Sequence, residues 1–423
     1  MIEATEAAAT EPAVPVTSEG RVASLDFIRG IAVLGILAAN IVAFGQPFQA
    51  YMYPDAFAVP AGAGSDWMWA AQFVLIDGKM RGLFTLLFGA GLALFMEKAW
   101  ARGATRWLQA RRLFWLLIFG MIHFYLIWRG DILILYAVSG FVAMLCLRWK
   151  AKTQLVVGVL GYIAGALIYL AMMSSPYFIA ETPLGEQPQF AETRIAMAGQ
   201  MEADLADGHA ELGIIGGGSY GDYVTHVVSE HGSDPFTMLV IFALETLPLM
   251  LIGMALYRIG LFSGGTDPAK TRLWGWIGVI GGTLLTIPIA LWAIGTGLSY
   301  WGTIAAFMGF SPLPRLPVVM GLAALLALWG AHANGWLGER LAAAGRMAFS
   351  NYLGTSILMM LVFHGWAGGL YGELNRAGLY VVVFLAWILM LAWSKPWLAR
   401  FRFGPLEWLW RCLTYMKLFP LRR

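Results

Sequence analysis

A histidine, several carboxylates and a few cations sit inside stretches that are otherwise apolar. His123 is followed by Tyr125 and Trp128, and then by Arg129-Gly130-Asp131. A histidine in such a place is either a satisfied core residue or a proton-transfer group, since imidazole titrates near neutral pH. Asp131 precedes Ile132 and can cap the next helix by accepting its first N–H bonds. It can also orient His123, because a tight turn at Gly130 folds the two flanking segments together. A second group is Asp77-Gly78-Lys79-Met80-Arg81. Its charges either snorkel to an interface or mark a functional interior. The third is Glu245, with Thr246 and Pro248 beside it. A carboxyl there is expected to be protonated or paired, and Pro248 to kink its helix and free a carbonyl. Asn40, Ser350-Asn351-Tyr352 and His364 with Trp366 are further polar or aromatic candidates. His226 and His231 are five apart, a poor helical pairing, so no metal is expected. The chain has no Gly-rich phosphate loop, Ser-His-Asp order or paired-His motif.

The elements that carry these residues follow from composition. The 423 residues are 59% hydrophobic and only 13% charged. A soluble domain carries roughly 25% charge and cannot hide so much apolar surface. A soluble enzyme, a nucleic-acid module and a disordered scaffold are thereby excluded. An all-α polytopic membrane bundle remains. Residues 1–20 are acidic and lack a basic segment followed by an apolar core, which predicts a disordered cytoplasmic tail rather than a signal peptide. About ten spans are expected, near 27–45, 67–97, 113–128, 131–147, 154–173, 236–257, 273–296, 316–333, 347–366 and 377–394. The second is too long for one crossing and is expected to break at Gly78. Residues 299–310 are too short to cross and read as re-entrant or interfacial.

Lysines and arginines set the orientation. Lys98, Arg102, Arg106, Arg111, Arg112, Arg148, Lys150, Lys152, Arg258, Lys270 and Arg272 fall in alternate loops, and Lys395, Arg400, Arg402 and Arg411 in the tail. All lie on one side if both termini are cytoplasmic. The stretch from Ser174 to Asp234 is acidic, with Arg194 as its only Lys or Arg, and belongs outside. It contains a helical-looking stretch near Glu192–Leu205. The expected organisation is a first five-span bundle over 21–173 carrying the site, an outer loop over 174–234, a second five-span bundle over 235–394, and a basic tail over 395–423. Cys146 and Cys412 lie beside basic segments and should stay reduced. Asn40, Asp77, Lys79, Arg81, His123 and Asp131 all map to the outer halves of the first four spans, so they are expected to meet.

Several strings carry a family resemblance. Leu25-Asp26-Phe27-Ile28-Arg29-Gly30 opens the first span, with Asn40 eleven residues after Arg29. Gly78-Lys79 leads to Leu83-Phe84-Thr85-Leu86-Leu87-Phe88-Gly89-Ala90-Gly91. Trp128-Arg129-Gly130-Asp131-Ile132-Leu133 is followed by Tyr136-Ala137. Gly345-Arg346-Met347-Ala348 leads to Asn351-Tyr352-Leu353, and Gly404-Pro405-Leu406-Glu407-Trp408-Leu409-Trp410-Arg411 closes the chain. Together they resemble the YeiB-like family, bacterial inner-membrane proteins defined by a domain of unknown function. The first-span string is also similar to transmembrane acyltransferases, the acyltransferase-3 and heparan-glucosaminide acetyltransferase families. Those move an acyl group from a cytoplasmic donor, usually acyl-CoA, to an acceptor outside. The second of them has Asn at the place of Asn40 and its active His in the next outer loop. This chain has no His between Gln46 and Asp66, so His123 or Asp66 would have to serve.

The resemblance implies a multi-pass inner-membrane acyltransferase. His123 would be the general base, Asp131 would fix its tautomer, and Asp77 completes the expected catalytic set. Asn40, Lys79, Arg81, Trp128, Tyr136, Glu245 and Asn351 are the expected substrate-binding residues. Arg29, Arg106 and Arg111 are expected to meet the donor's phosphates. No cofactor is expected to be tightly bound, and acyl-CoA enters as co-substrate. Expected partners are membrane lipids and a small-molecule, glycan or lipid acceptor, with a homodimer as a further option and no nucleic acid. The alternative is a proton-coupled small-molecule transporter, in which Glu245 carries the proton and the breaks at Gly78 and Pro248 form a midplane site.

Overall fold

The computed structural model describes residues 23–60 and 62–423. The expected tail over 1–20 lies outside the described residues. Every expected span has its helix. These are α1 (Ala23–Gly45), α2 (Ser65–Leu75) with α3 (Lys79–Trp100), α4 (Arg106–Leu126), α5 (Leu133–Ala143) and α6 (Ala151–Glu181). Two helices follow, α7 (Ala191–Gly217) and α8 (Tyr220–Glu230), where an acidic loop with one helical stretch was expected. Then come α9 (Asp234–Ile259), α10 (Pro268–Gly295), the short α11 (Tyr300–Ile304) and α12 (Pro312–Gly330). The chain ends with α13 (Trp336–Arg346), α14 (Ala348–Phe363), α15 (Arg376–Arg400) and α16 (Pro405–Tyr415). Between α11 and α12, Ala305–Phe310 forms a π-helical turn.

Among the described residues, seven segments are long and apolar enough to cross a membrane: α1, α2 joined to α3, α6, α9, α10, α12 and α15. Leu133–Arg148 and α14 are apolar but shorter. Burial divides them. In α1 78% of the most apolar window is buried, against 22% in α10 and 28% in α6 and α15. So α1 is the central post. The outer helices expose Leu160, Leu167, Leu284, Leu285, Phe384 and Leu385. In water such rows would be prohibitive; against lipid tails they are the expected solvent-facing surface.

The expected division into two bundles is not a division in packing. Helix α9 packs on α3, α5 and α6, and α1 packs on α12, α13, α14 and α15. One such crossing matters for the site. A Cβ on Gly30 would lie 2.0 Å from the Leu341 carbonyl oxygen, and one on Gly345 1.7 Å from that of Asp26. Small residues let α1 and α13 meet backbone to backbone, as close helix crossings in membranes require. Arg29 and Arg346, next in sequence, are thereby brought to one rim.

The break between α2 and α3 falls at the expected residue. Gly78 has φ +69°, and a Cβ there would lie 2.3 Å from Arg315 Nε. Both the left-handed backbone and the close guanidinium demand glycine. The expected basic tail starts inside α15 and continues as α16. Glu407 of α16 accepts hydrogen bonds from the Phe349 and Ser350 N–H groups, at 2.8 and 3.1 Å. It therefore caps the start of α14, holding α16 against the bundle.

Candidate functional site: a buried His–Asp pair above a basic cavity

The turn between α4 and α5 brings His123 and Asp131 together. His123 Nδ1 lies 2.7 Å from Asp131 Oδ1, and both side chains are fully buried. The other carboxylate oxygen accepts from the Ile134 N–H at 2.8 Å. Asp131 thus performs both roles that its position allowed, capping α5 and orienting the imidazole. Where the carboxylate is the acceptor of this contact, Nδ1 is the donor and Nε2 is left with its lone pair. Nε2 has no hydrogen-bond partner. A buried nitrogen without one is costly and asks for an explanation. Around the imidazole lie Trp128 and Tyr352, with ring centroids 6.2 and 5.2 Å from its own. Trp128 is itself held by stacking on Phe44 at 3.9 Å. The Tyr352 hydroxyl approaches the Ile132 backbone without completing a hydrogen bond.

Below this pair, toward the face that gathers the lysines and arginines, is a cavity of about 320 Å³. Tyr136, Leu133 and Tyr352 line it, whereas His123 and Asp131 lie behind them and are not part of its wall. Arg29, Lys98, Arg112, Arg346, Arg402 and Arg411 line it, against two carboxylates, Asp26 and Glu407. The excess of positive charge suits an anionic ligand, and the volume lies within the usual range for small-molecule sites. Arg112 is placed by the ring faces of Phe95 and Trp410, at 4.6 and 4.4 Å, and Trp410 donates to the Arg112 carbonyl at 2.9 Å. Arg29 is held 3.2 Å from Asp26. Tyr352 also lines a small void beside Asn40, Thr355 and Ser356. It therefore stands between the cavity, His123 and Asn40.

The other expected site residues fall elsewhere, which corrects the expectation of one outer cluster. Glu245 is clamped between two guanidinium groups, Arg81 at 2.6 Å and Arg315 at 3.0 Å. Tyr136 links this group to the cavity, through Thr85 Oγ1 at 2.8 Å and the Arg81 carbonyl at 3.3 Å. Asp77 forms a third group, accepting from Tyr51 at 3.3 Å and from Gln72 at 3.2 Å. Gln72 in turn accepts from the buried Arg376 at 3.0 Å. Lys79 is 1% exposed and donates to the Phe73 carbonyl at 2.6 Å, so it does not snorkel. Among the described residues no hydrogen bond joins Asp77 or Lys79 to His123. The break at Gly78 turns them toward α2 and Arg315 instead.

Arg106 and Arg111 do not line the cavity. Arg111 donates to the Thr414 carbonyl and so fastens α4 to α16. Their neighbour Arg112 holds the place expected of them, because side chains one residue apart on a helix point some 100° apart. Asn351 is saturated. It donates to the Ala344 carbonyl and Ser394 and accepts from Trp393, at 2.9, 3.2 and 2.9 Å, which makes it a tie between α13, α14 and α15. Asp66 is exposed at the start of α2. Sequence reasoning missed Arg315 and Arg376. Each sits at a helix start, just outside the apolar stretch by which a span is recognised. The need of Glu245 for a counter-charge was the available signal for Arg315.

Over the opposite end lies an acidic cap. Arg129 pairs with Glu211 at 2.7 Å and Asp207 at 3.5 Å on α7, and approaches Asp234 at 3.9 Å. His231 lies 3.2 Å from Asp207 and 3.1 Å from Asp234. Burial alone would lower the His231 pKa, but its hydrogen bonds with the two carboxylates outweigh this and raise it to about 9. Burial likewise pushes Asp207 up, and His231 with Arg129 more than reverses that.

Known proteins share this chain's length and pattern. It is 32% identical to the uncharacterized protein YeiB of Escherichia coli (strain K12) over 410 residues, which is 92% of this chain and 95% of that one. To the uncharacterized protein YxaH of Bacillus subtilis (strain 168) it is 28% identical, over 97% of this chain and 98% of that one. An uncharacterized 39.9 kDa protein of Bacillus acidopullulyticus is 25% identical, with 96% and 97% covered. No solved structure matches it at a meaningful level. Residues 256–417 match the family described as a protein of unknown function, DUF418. That segment supplies Arg346, Tyr352, Arg402, Glu407 and Arg411 of the cavity wall. With its spans, its cavity and its end-to-end likeness to YeiB, the chain belongs to the YeiB-like DUF418 family of helical membrane proteins.

Proposed function

We propose that this protein is an inner-membrane acyltransferase, moving an acyl group from a cytoplasmic acyl-CoA-type thioester to an extracytoplasmic or lipid acceptor. The observation that carries this reading is the unpartnered Nε2 of His123, whose ring packs on Tyr352, the residue that separates it from a cationic cavity. The donor's phosphates would lie among Arg29, Arg112 and Arg402, on the face that the positive-inside pattern assigns to the cytoplasm. Its acyl thioester would reach toward Tyr136 and Tyr352. His123 Nε2 removes the proton from the acceptor hydroxyl or amine as that group attacks the thioester carbonyl. The new C–O or C–N bond forms, the C–S bond breaks, and the proton passes from the imidazolium to the leaving thiolate. Asp131, bonded to Nδ1, orients the ring and stabilises the imidazolium. Tyr352 must swing aside for the carbonyl to meet Nε2, and Asn40 lines the void it would enter.

We place the transport reading second, because its proposed proton carrier is paired. Glu245 is held between two guanidinium groups, a pairing that suits a structural role better than repeated proton uptake and release. The test is protein reconstituted in liposomes with an acyl-CoA donor, following thiol release and, in the same vesicles, solute and proton flux. Acyl transfer predicts thiol release with acceptor acylated and no coupled flux. Flux without donor consumption would replace this reading with transport.

A further inference from the structure

The outer cap holds a group of ligands that the spacing in sequence conceals. Helix α8 ends at Glu230, so His231 leaves the helical path and folds back on His226. Their ring centroids are 5.0 Å apart. Asp207 Oδ1, from α7, lies 3.6 Å from His226 Nε2 and 3.2 Å from His231 Nε2. All three ligand atoms fall within 4.8 Å of one another. Ligands about 2.0–2.1 Å from a tetrahedral ion stand roughly 3.4 Å apart, so the two measured edges already suit one. His226 is 9% exposed and its Nε2 has no hydrogen-bond partner. That is a buried lone pair aimed at the group's centre.

The surroundings are those of a metal ligand set. Asp234 accepts from His231 Nδ1 at 3.1 Å, which turns Nε2 toward Asp207. The second oxygen of Asp207 is held by Gln49 at 3.2 Å, leaving Oδ1 for the ion. Charge points the same way. Asp207, Glu211 and Asp234 surround the single guanidinium of Arg129, at 3.5, 2.7 and 3.9 Å. Counting Arg129 and His231 as cations, the three carboxylates still exceed the positive charges by one, and a divalent ion that takes the place of the His231 proton brings the group to neutrality. Arg129 Nη1 lies 3.0 Å from His231 Nδ1 and 3.2 Å from Nε2, so it must give way toward Glu211, which its Nη2 already pairs at 2.7 Å, for the ion to enter.

We infer that Asp207, His226 and His231 bind one zinc-class divalent transition-metal ion. Two imidazoles and a carboxylate are the donor set that such ions take, with a fourth position for water. The ion would fasten α7 to the end of α8 above the turn that carries Asp131. It is independent of acyl transfer.

The test uses full-length protein in nanodiscs, stripped with a chelator and titrated with Zn²⁺ by calorimetry, then with Co²⁺ by visible absorption. The expected result is one Zn²⁺ per chain, a cobalt spectrum of tetrahedral intensity, and a rise in Tm on zinc addition. His226→Ala should weaken binding at least about 100-fold, and the milder Asp207→Asn about tenfold or more. His209→Ala, which removes an exposed histidine of α7, should change nothing. Absence of stoichiometric zinc in the wild type overturns the inference, whatever the variants do. So does binding that His226→Ala leaves intact, or that His209→Ala weakens equally.

Discussion

The His123–Asp131 pair and the Arg81–Glu245–Arg315 group lie in one bundle, both buried and both built from ionisable side chains. They are finished differently. Glu245 has both oxygens engaged by guanidinium groups, and Arg315 goes on to bond the Phe307 carbonyl and Ser311. His123 has one nitrogen fixed and the other left without a partner. Burial and charge therefore do not distinguish a reactive group from a structural one. The difference proposed here is the unpartnered Nε2 of His123, one tyrosine away from the cavity.

The comparison makes predictions of decreasing size. His123→Ala should cut acyl transfer by about 100-fold or more, the usual share of a general base. Its Tm should fall by less than that of Glu245→Ala, since it leaves one carboxylate oxygen short of a donor rather than two buried guanidinium groups without a counter-charge. Thiol release and thermal unfolding of the same preparation measure the two. An equally large fall in Tm would make the histidine structural. Glu245→Ala should do the reverse, destabilising the fold by about 3–5 kcal/mol because two arginines are left buried without their counter-charge. Denaturant unfolding in micelles reads this. Replacing Arg81, Glu245 and Arg315 together by Met, Leu and Met should recover most of the loss, and failure to recover would argue that the group does more than hold the fold.

Smaller effects sharpen the boundary between the two kinds of site. Arg112→Ala should raise the KM for an anionic donor about tenfold while kcat moves little, because it removes binding made equally in ground and transition states. A fall in kcat at constant KM would move Arg112 from donor binding into the chemistry. Asn351→Ala should cost about 1 kcal/mol through its lost hydrogen bonds and leave KM unchanged. A shifted KM would return Asn351 to the substrate site.

Much of this was legible from sequence, for reasons that are local. A span declares itself by some 20 apolar residues, and a tight turn such as Trp128–Asp131 returns the chain on itself. The His123–Asp131 contact and the break at Gly78 follow from those two facts. What was not legible depends on elements far apart in the chain. The cavity joins Arg29 to Arg112, Arg346 and Arg411, which no spacing relates. Arg111 and Arg112 look alike in sequence, and only the position of α16 decides which faces the cavity. His226 and His231 are five apart in sequence, and their ring contact at 5.0 Å depends on where α8 stops, which spacing alone does not reveal.

The central claim is that His123 Nε2 is a reacting atom. Donor thiol release by wild type and His123→Ala, each reconstituted in liposomes with donor supplied at the basic face, tests it most directly. The account predicts steady release by the wild type and release lower by about 100-fold or more in the variant. Equal turnover by the two proteins would contradict it.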